Sequence, residues 1–217
     1  MKVLDILLLF AVGSILGVVI ETIYCYLTTG KLMRRQSVVY GPFNQIYGIG
    51  AVLMTTLLSR LPDAWGLFLS SAILGGLFEA VCSYVQETMY GTVSWEYSGQ
   101  RFSLLGGRTS LRFMIFWGFL GIAYIRGIQP FLFRLFAQIP FPVKAPAVIA
   151  LNVFLAYDLW LSALAVGRWR KRLTGHKPDG QMDIWLDQRF PNERMQKLYP
   201  SMRHSPYKMA EQKKDYK

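Results

Sequence analysis

Charge is scarce in this sequence. Only 17% of its 217 residues are Asp, Glu, Lys or Arg, against about 25% in an ordinary soluble domain, while 53% are hydrophobic and 15% aromatic. That balance argues against a water-soluble domain. The apolar residues also fall in long blocks, which a bilayer demands and a soluble core does not. Cysteine is nearly absent: Cys25 and Cys82 both lie in apolar blocks, so neither a disulfide framework nor a four-ligand zinc site is expected. Histidine is confined to His176 and His204 in the polar carboxyl-terminal segment, which leaves the membrane part without a Ser-His or paired-Cys arrangement. No Gly-x4-Gly-Lys-Ser/Thr run exists to cradle phosphates. Nucleotide hydrolysis by this chain alone is therefore not expected, nor is a metal, a cofactor or a nucleic-acid partner.

What is present reads as an all-α integral membrane protein. About five transmembrane helices are predicted, at 3–28, 46–60, 65–85, 109–127 and 145–167, each tested against a hydrocarbon layer of about 30 Å. The first block runs on through Tyr24, Cys25 and Tyr26 with no small-residue cleavage site, so it is read as retained rather than as a signal peptide. The second is short and could begin inside a re-entrant loop. Residues 128–142 mix Phe and Leu with Arg134 and three prolines, which suits an interfacial helix.

The formal net charge of +11 is unevenly placed. Residues 1–167 carry 11 Lys and Arg against 7 Asp and Glu, whereas 168–217 carry 13 against 6. The run Arg168, Arg170, Lys171, Arg172 predicts a cytoplasmic tail by the positive-inside rule, in a multi-pass protein of the cell membrane. Arg126, Arg134 and Lys144 pull the other way. The tail, 168–217, is expected to be basic and largely disordered, with local folding around Trp185–Phe190, and its charge could meet anionic lipid.

Sliding the sequence against itself by 58 positions aligns the first and third spans. Asp5 meets Asp63, Gly17 meets Gly75, Glu21 meets Glu79 and Tyr26 meets Tyr84, all inside 22 residues. A parallel two-span repeat is one reading, although the second halves match poorly at that shift. At a spacing of four, Gly13, Gly17, Glu21, Cys25 and Thr29 share one helix face, as do Ser71, Gly75, Glu79, Ser83 and Glu87. The small residues Gly13, Gly17, Ser71 and Gly75 would let helices approach closely. A carboxylate on such a face costs about 2.5–3.5 kcal/mol if lipid-exposed, so Glu21 and Glu79 should face protein or water. Their expected partners are Arg108 and Arg112, with Arg101 nearby. Glu87 and Asp158 join these as candidates for a polar intramembrane pathway. The alternative is that the carboxylates only fix helix register.

Two loops carry dense motifs. The first reads Tyr40-Gly41-Pro42-Phe43-Asn44-Gln45-Ile46-Tyr47-Gly48, a turn followed by glycine. The second holds Trp95-Glu96-Tyr97, then Arg101 and Gly107-Arg108-Thr109-Ser110, where Thr109 or Ser110 could cap a helix. Taken in order with Gly17-x3-Glu21-Thr22-Ile23-Tyr24, Glu79 and Glu87, these elements resemble the bacterial membrane family labelled putative ABC-transporter type IV over about residues 13–125. The resemblance implies a permease-like role. A separate ATPase subunit would then dock on the cytoplasmic loops, with Arg34, Arg35 and the Tyr40–Tyr47 turn as candidates, and a homo-oligomer could complete a translocation path. Two other functions fit the same residues: a membrane-embedded enzyme acting on a lipid or prenyl substrate, and a structural or regulatory membrane protein.

Overall fold

The structure is a computed structural model that describes residues 2–33, 35–93, 95–200 and 202–204. Arg34 lies outside the described residues, as do residues 205–217 of the tail. The described chain is mostly helical, with four two-residue strands and the loops that connect these elements. In order it forms α1 (Val3–Thr29), α2 (Gln45–Leu58), α3 (Ala64–Tyr90), β1 (Thr92–Val93), β2 (Ser103–Leu104), β3 (Thr109–Ser110), α4 (Leu111–Ala123), α5 (Gln129–Gln138), α6 (Phe141–Leu173), α7 (Gln181–Arg189), α8 (Asn192–Leu198) and β4 (Arg203–His204). Four helical runs are long and apolar enough to cross a bilayer: α1, Ala64–Met89 in α3, Leu111–Gln138, and α6; α2 is a shorter apolar helix. The chain is an all-α, multi-pass membrane protein.

The run Leu111–Gln138 joins α4 to α5 through a π-helical turn at Tyr124–Ile128. Pro130 has no N–H to return to the Arg126 carbonyl, and the helix widens there. The amphipathic segment expected at 128–142 is thus present as α5, with Leu132 and Phe136 buried and Arg134 exposed, but it continues α4 without a break. At 14 residues, α2 is about 21 Å long. The loop before it supplies the missing depth, because Val38 and Phe43 are buried against Leu155 of α6 together with Phe10 and Ile15 of α1.

Helices α1 and α2 form one hairpin, α3 and α4 another. Gly17 lies against the Tyr47 ring and Gly75 against the Trp117 ring, while Gly13 faces Gly48 and Ala51, and Ser71 faces Gly121. The matching positions on α2 and α4 are therefore 70 residues apart, not 58. The second loop and the first turns of α4 are longer, which is why the second halves do not align at the shift that aligns α1 with α3. Tyr47 and Trp117 then meet each other, with ring centroids 5.8 Å apart. A side chain at Gly75 has no room: Gly75→Leu is expected to lower stability by about 1–3 kcal/mol through overpacking. Thermal unfolding in detergent checks this, with Gly127→Ala, which meets nothing within 4 Å, as the unchanged control.

The repeat diverges at its aspartates. Asp63 caps α3 by accepting from the Gly66 N–H, whereas Asp5 forms an ion pair with Lys144 at the start of α6. Nearby, Arg126 donates to the carbonyls of Leu61 (3.0 Å) and Pro62 (2.6 Å). The opposite end of the bundle gathers the loops 30–44 and 91–110 and the end of α6.

Part of the tail is folded, including the Trp185–Phe190 stretch expected to fold locally. Helices α7 and α8 fold onto α6, burying Leu186, Phe190, Met195 and Tyr199 against Leu161, Ala165, Val166 and Trp169. Polar composition hid these four apolar residues, which converge only once the chain has turned back. Arg168 binds Asp187 through Nε (2.8 Å) and Nη2 (2.7 Å), and Arg172 binds the same carboxylate (2.5 Å) and the Phe190 carbonyl (2.6 Å). Two cations of the basic run thus hold the tail. The hydrogen bond from Arg168, with help from Arg172, keeps the Asp187 carboxyl below its usual range. The contribution of this pair to docking is consequently complete at neutral pH, begins to weaken once pH drops below the ordinary carboxylate range, and is lost as pH falls through the lowered value. Asp187→Asn should mimic that loss at neutral pH, seen as faster trypsin cleavage after Arg189 and Arg194.

Candidate functional site

Near the tail end, a cavity of about 650 Å³ lies between the two hairpins, lined by residues of α1, α2, α3, α4 and the loop 91–110. Its polar walls are Glu21, Arg35, Asn44, Tyr47, Glu79, Glu96 and Tyr97; its aromatic walls include Tyr24, Trp95, Phe113, Phe116 and Trp117. A second cavity of about 400 Å³ shares Glu21, Arg35, Asn44 and Trp95 and extends to Leu159, Ser162 and Val166 on α6.

Each hairpin contributes one carboxylate held by a tyrosine. Tyr47, in the first turn of α2, donates its hydroxyl to Glu21 Oε1 at 3.0 Å, and Arg35 donates to Glu21 Oε2 at 3.3 Å. On the other side, Tyr97 donates to Glu79 Oε1 at 2.8 Å and Thr109 to Glu79 Oε2 at 2.9 Å. Burial and the adjacent Glu79 hold the Tyr97 phenol well above its ordinary value, so it remains the donor. Its ring stacks on Phe113 at 4.7 Å.

The loop that delivers these donors is folded by local pairing. Strands β2 and β3 pair antiparallel, Ser103 with Ser110 and Leu104 with Thr109, and the Tyr97 N–H donates to the Gly107 carbonyl at 2.8 Å. Thr109 is thereby set over Glu79, and Arg108 over the next turns of α3. The structure corrects the expected partners here. Arg108 pairs with Glu87 and reaches Ser83, with its guanidinium 5.4 Å from the centre of the Tyr84 ring. Arg112 is exposed, and Arg101 sits over Phe102. Glu21 instead takes Arg35, a residue the sequence marked only as a docking candidate.

Asp158 belongs to a different part of the molecule. It is fully buried beneath the first loop, where it accepts the N–H of Gly41 at 2.6 Å and that of Tyr40 at 3.1 and 3.3 Å. Ser162 accepts the Val39 N–H at 2.9 Å, and the Ser14 carbonyl accepts the Asn44 N–H at 2.8 Å. Backbone entering a membrane protein must be satisfied internally, and Asp158 does this for the loop. A Cβ at Gly41 would overlap Phe43 and approach Asp158, so glycine allows the contact. Pro42 is exposed beside it. Tyr40 packs on Phe190, accepting from Arg189 at 3.1 Å, which ties the loop to the tail. Glu96 is exposed and accepts the Ser98 N–H.

Two buried polar atoms in the cavity wall have no hydrogen-bond partner: Asn44 Oδ1 and Trp95 Nε1. The aromatic wall on α4 went unmarked in the sequence. Its signal is the spacing of Phe113, Phe116 and Trp117, which puts three rings on one helix face.

An apolar bundle with a polar, aromatic-walled cavity at one end defines a multi-pass membrane protein with an internal cavity. The chain belongs to the family described as Putative ABC-transporter type IV, whose model matches residues 8–163. The match runs from α1 well into α6, takes in Asp158 and Ser162, and stops before α7. No curated protein and no solved structure matches the chain.

Proposed function

We propose that this chain is the permease component of an ABC-type transporter in the cell membrane and that its substrate binds in the cavity holding Glu21 and Glu79. The observation that carries this reading is one carboxylate from each hairpin, with Arg35, lining about 650 Å³ of space, within the range of small-molecule sites, about 300–1,000 Å³. Ionisable groups inside a membrane protein are costly unless they meet a partner, water or a ligand. Residues 1–167 form the membrane domain in this reading, and 168–217 a cytoplasmic tail whose helices α7 and α8 pack on α6.

The tail end faces the cytoplasm in this proposal, since Arg35, Arg101, Arg108, Arg112 and the basic run after 167 gather there. Two of the opposing charges have other employment: Lys144 pairs with Asp5 and Arg126 binds backbone carbonyls. A separate ATPase subunit supplies hydrolysis and docks on the surface built from the loop 30–44 and the tail. Purification of the full chain from its native membrane in mild detergent is expected to bring down an ATP-hydrolysing subunit in fixed ratio. Its absence, even after cross-linking in the membrane, would sink the permease reading.

A further inference from the structure

The charge inside the cavity is not balanced. Glu21 has Arg35 as counter-ion at 3.3 Å. Glu79 is 8% exposed and bonded by two neutral hydroxyls, from Tyr97 and Thr109. No Lys or Arg among the described residues forms an ion pair with it. A third carboxylate, Glu96, also lines the space. An anion entering here would meet uncompensated negative charge, and a neutral molecule would leave it uncompensated. A cation relieves it.

The walls narrow the kind of cation. Tyr24, Phe116 and Trp117 present rings to the cavity, and aromatic faces attract organic cations through their negative quadrupoles. No group of three metal-ligating side chains occurs among the described residues, and about 650 Å³ is far more than a bare ion fills. The two unpartnered atoms narrow it again. Asn44 is nine-tenths buried and its free Oδ1 lacks a donor, which an ammonium N–H supplies. Trp95 Nε1–H lacks an acceptor, which a polar group elsewhere on the ligand supplies.

Building on the reading of this cavity as the substrate site, we infer that it takes a monovalent organic amine, protonated at neutral pH, with an apolar or aromatic body. The ammonium sits between Glu79 and Asn44, and the body lies against the rings of α1 and α4. Glu21, already paired with Arg35, shapes the site without adding net charge.

Two probes of matched ring and opposite charge test this: naphthylethylamine and naphthylacetate, titrated by calorimetry at pH 7 into the purified full chain. The amine is expected to bind saturably and at least about tenfold tighter than the carboxylate, as charge complementarity in a desolvated site requires. Glu79→Gln should erase that preference. Phe116→Leu, at a half-exposed wall position that keeps the fold, should weaken the amine about threefold, a modest cation–π loss, and leave the carboxylate unchanged. Equal affinities for the two probes, or a preference that survives Glu79→Gln, would overturn the inference. Should Glu79→Gln not fold, the Phe116→Leu result decides, and amine binding unaffected by it counts against the site. Tighter binding of naphthylacetate would refute the amine while leaving the cavity a ligand site. The permease reading falls separately, on the missing ATPase.

Discussion

Asp158→Ala is expected to remove most of the folded protein from the membrane. Asp158 has no solvent exposure and accepts the N–H groups of Tyr40 and Gly41. Truncation leaves both donors buried without a partner, at about 1–3 kcal/mol each, together with a small void. The sum is a large fraction of the roughly 5–15 kcal/mol that holds a domain together. The loop would then leave the bundle, taking Phe43 and Val38 out of their contacts with Leu155. Asp158→Asn keeps one oxygen as acceptor and should fall between the two. Size-exclusion chromatography of solubilised fluorescent fusions reads the folded fraction. Wild-type recovery of the alanine variant would contradict the structural role given to this carboxylate.

Glu79→Gln should do the opposite, sparing the protein and removing its activity. Glutamine is nearly isosteric and still offers Tyr97 an oxygen; its amide can donate to Thr109, whose hydroxyl turns to accept. The fold therefore survives, and only the negative charge is lost. For a charge meeting a desolvated partner that loss is about 2–5 kcal/mol, so coupled transport by the reconstituted complex should drop by more than about thirtyfold at unchanged abundance. Glu79→Ala, by contrast, orphans two hydroxyls and should lower stability as well. Glu21→Gln is expected to lower transport less, because Glu21 is already paired with Arg35 and is not the uncompensated charge that an incoming cation would meet. If both glutamine variants lose folded protein equally, the carboxylates serve packing alone.

Two buried carboxylates with opposite expected behaviour could not be told apart in one dimension. Asp158 and Glu79 both stand as single acidic residues in apolar blocks, and hydropathy treats them alike. What separates them is which backbone or side chain arrives from 18 to 118 residues away. The partners of the glutamates show the same limit. Arg108 and Arg112 are close in sequence to the fourth helix and so looked available, but the pairing of β2 with β3 turns Arg108 toward Glu87. Arg35 reaches Glu21 because the first loop dives into the bundle.

Sequence alone determined that the chain is a helical membrane protein and that Gly17 with Glu21 and Gly75 with Glu79 share helix faces. Hydropathy and helical period are local properties, and the bilayer enforces them span by span. The tertiary structure alone decided which hydroxyl or guanidinium meets each carboxylate, that α7 and α8 fold on α6, and that seven aromatic and three carboxylate side chains line one cavity. Those outcomes depend on how closely the hairpins pack at their glycines and on where two long loops return, distances that no run of neighbouring residues encodes.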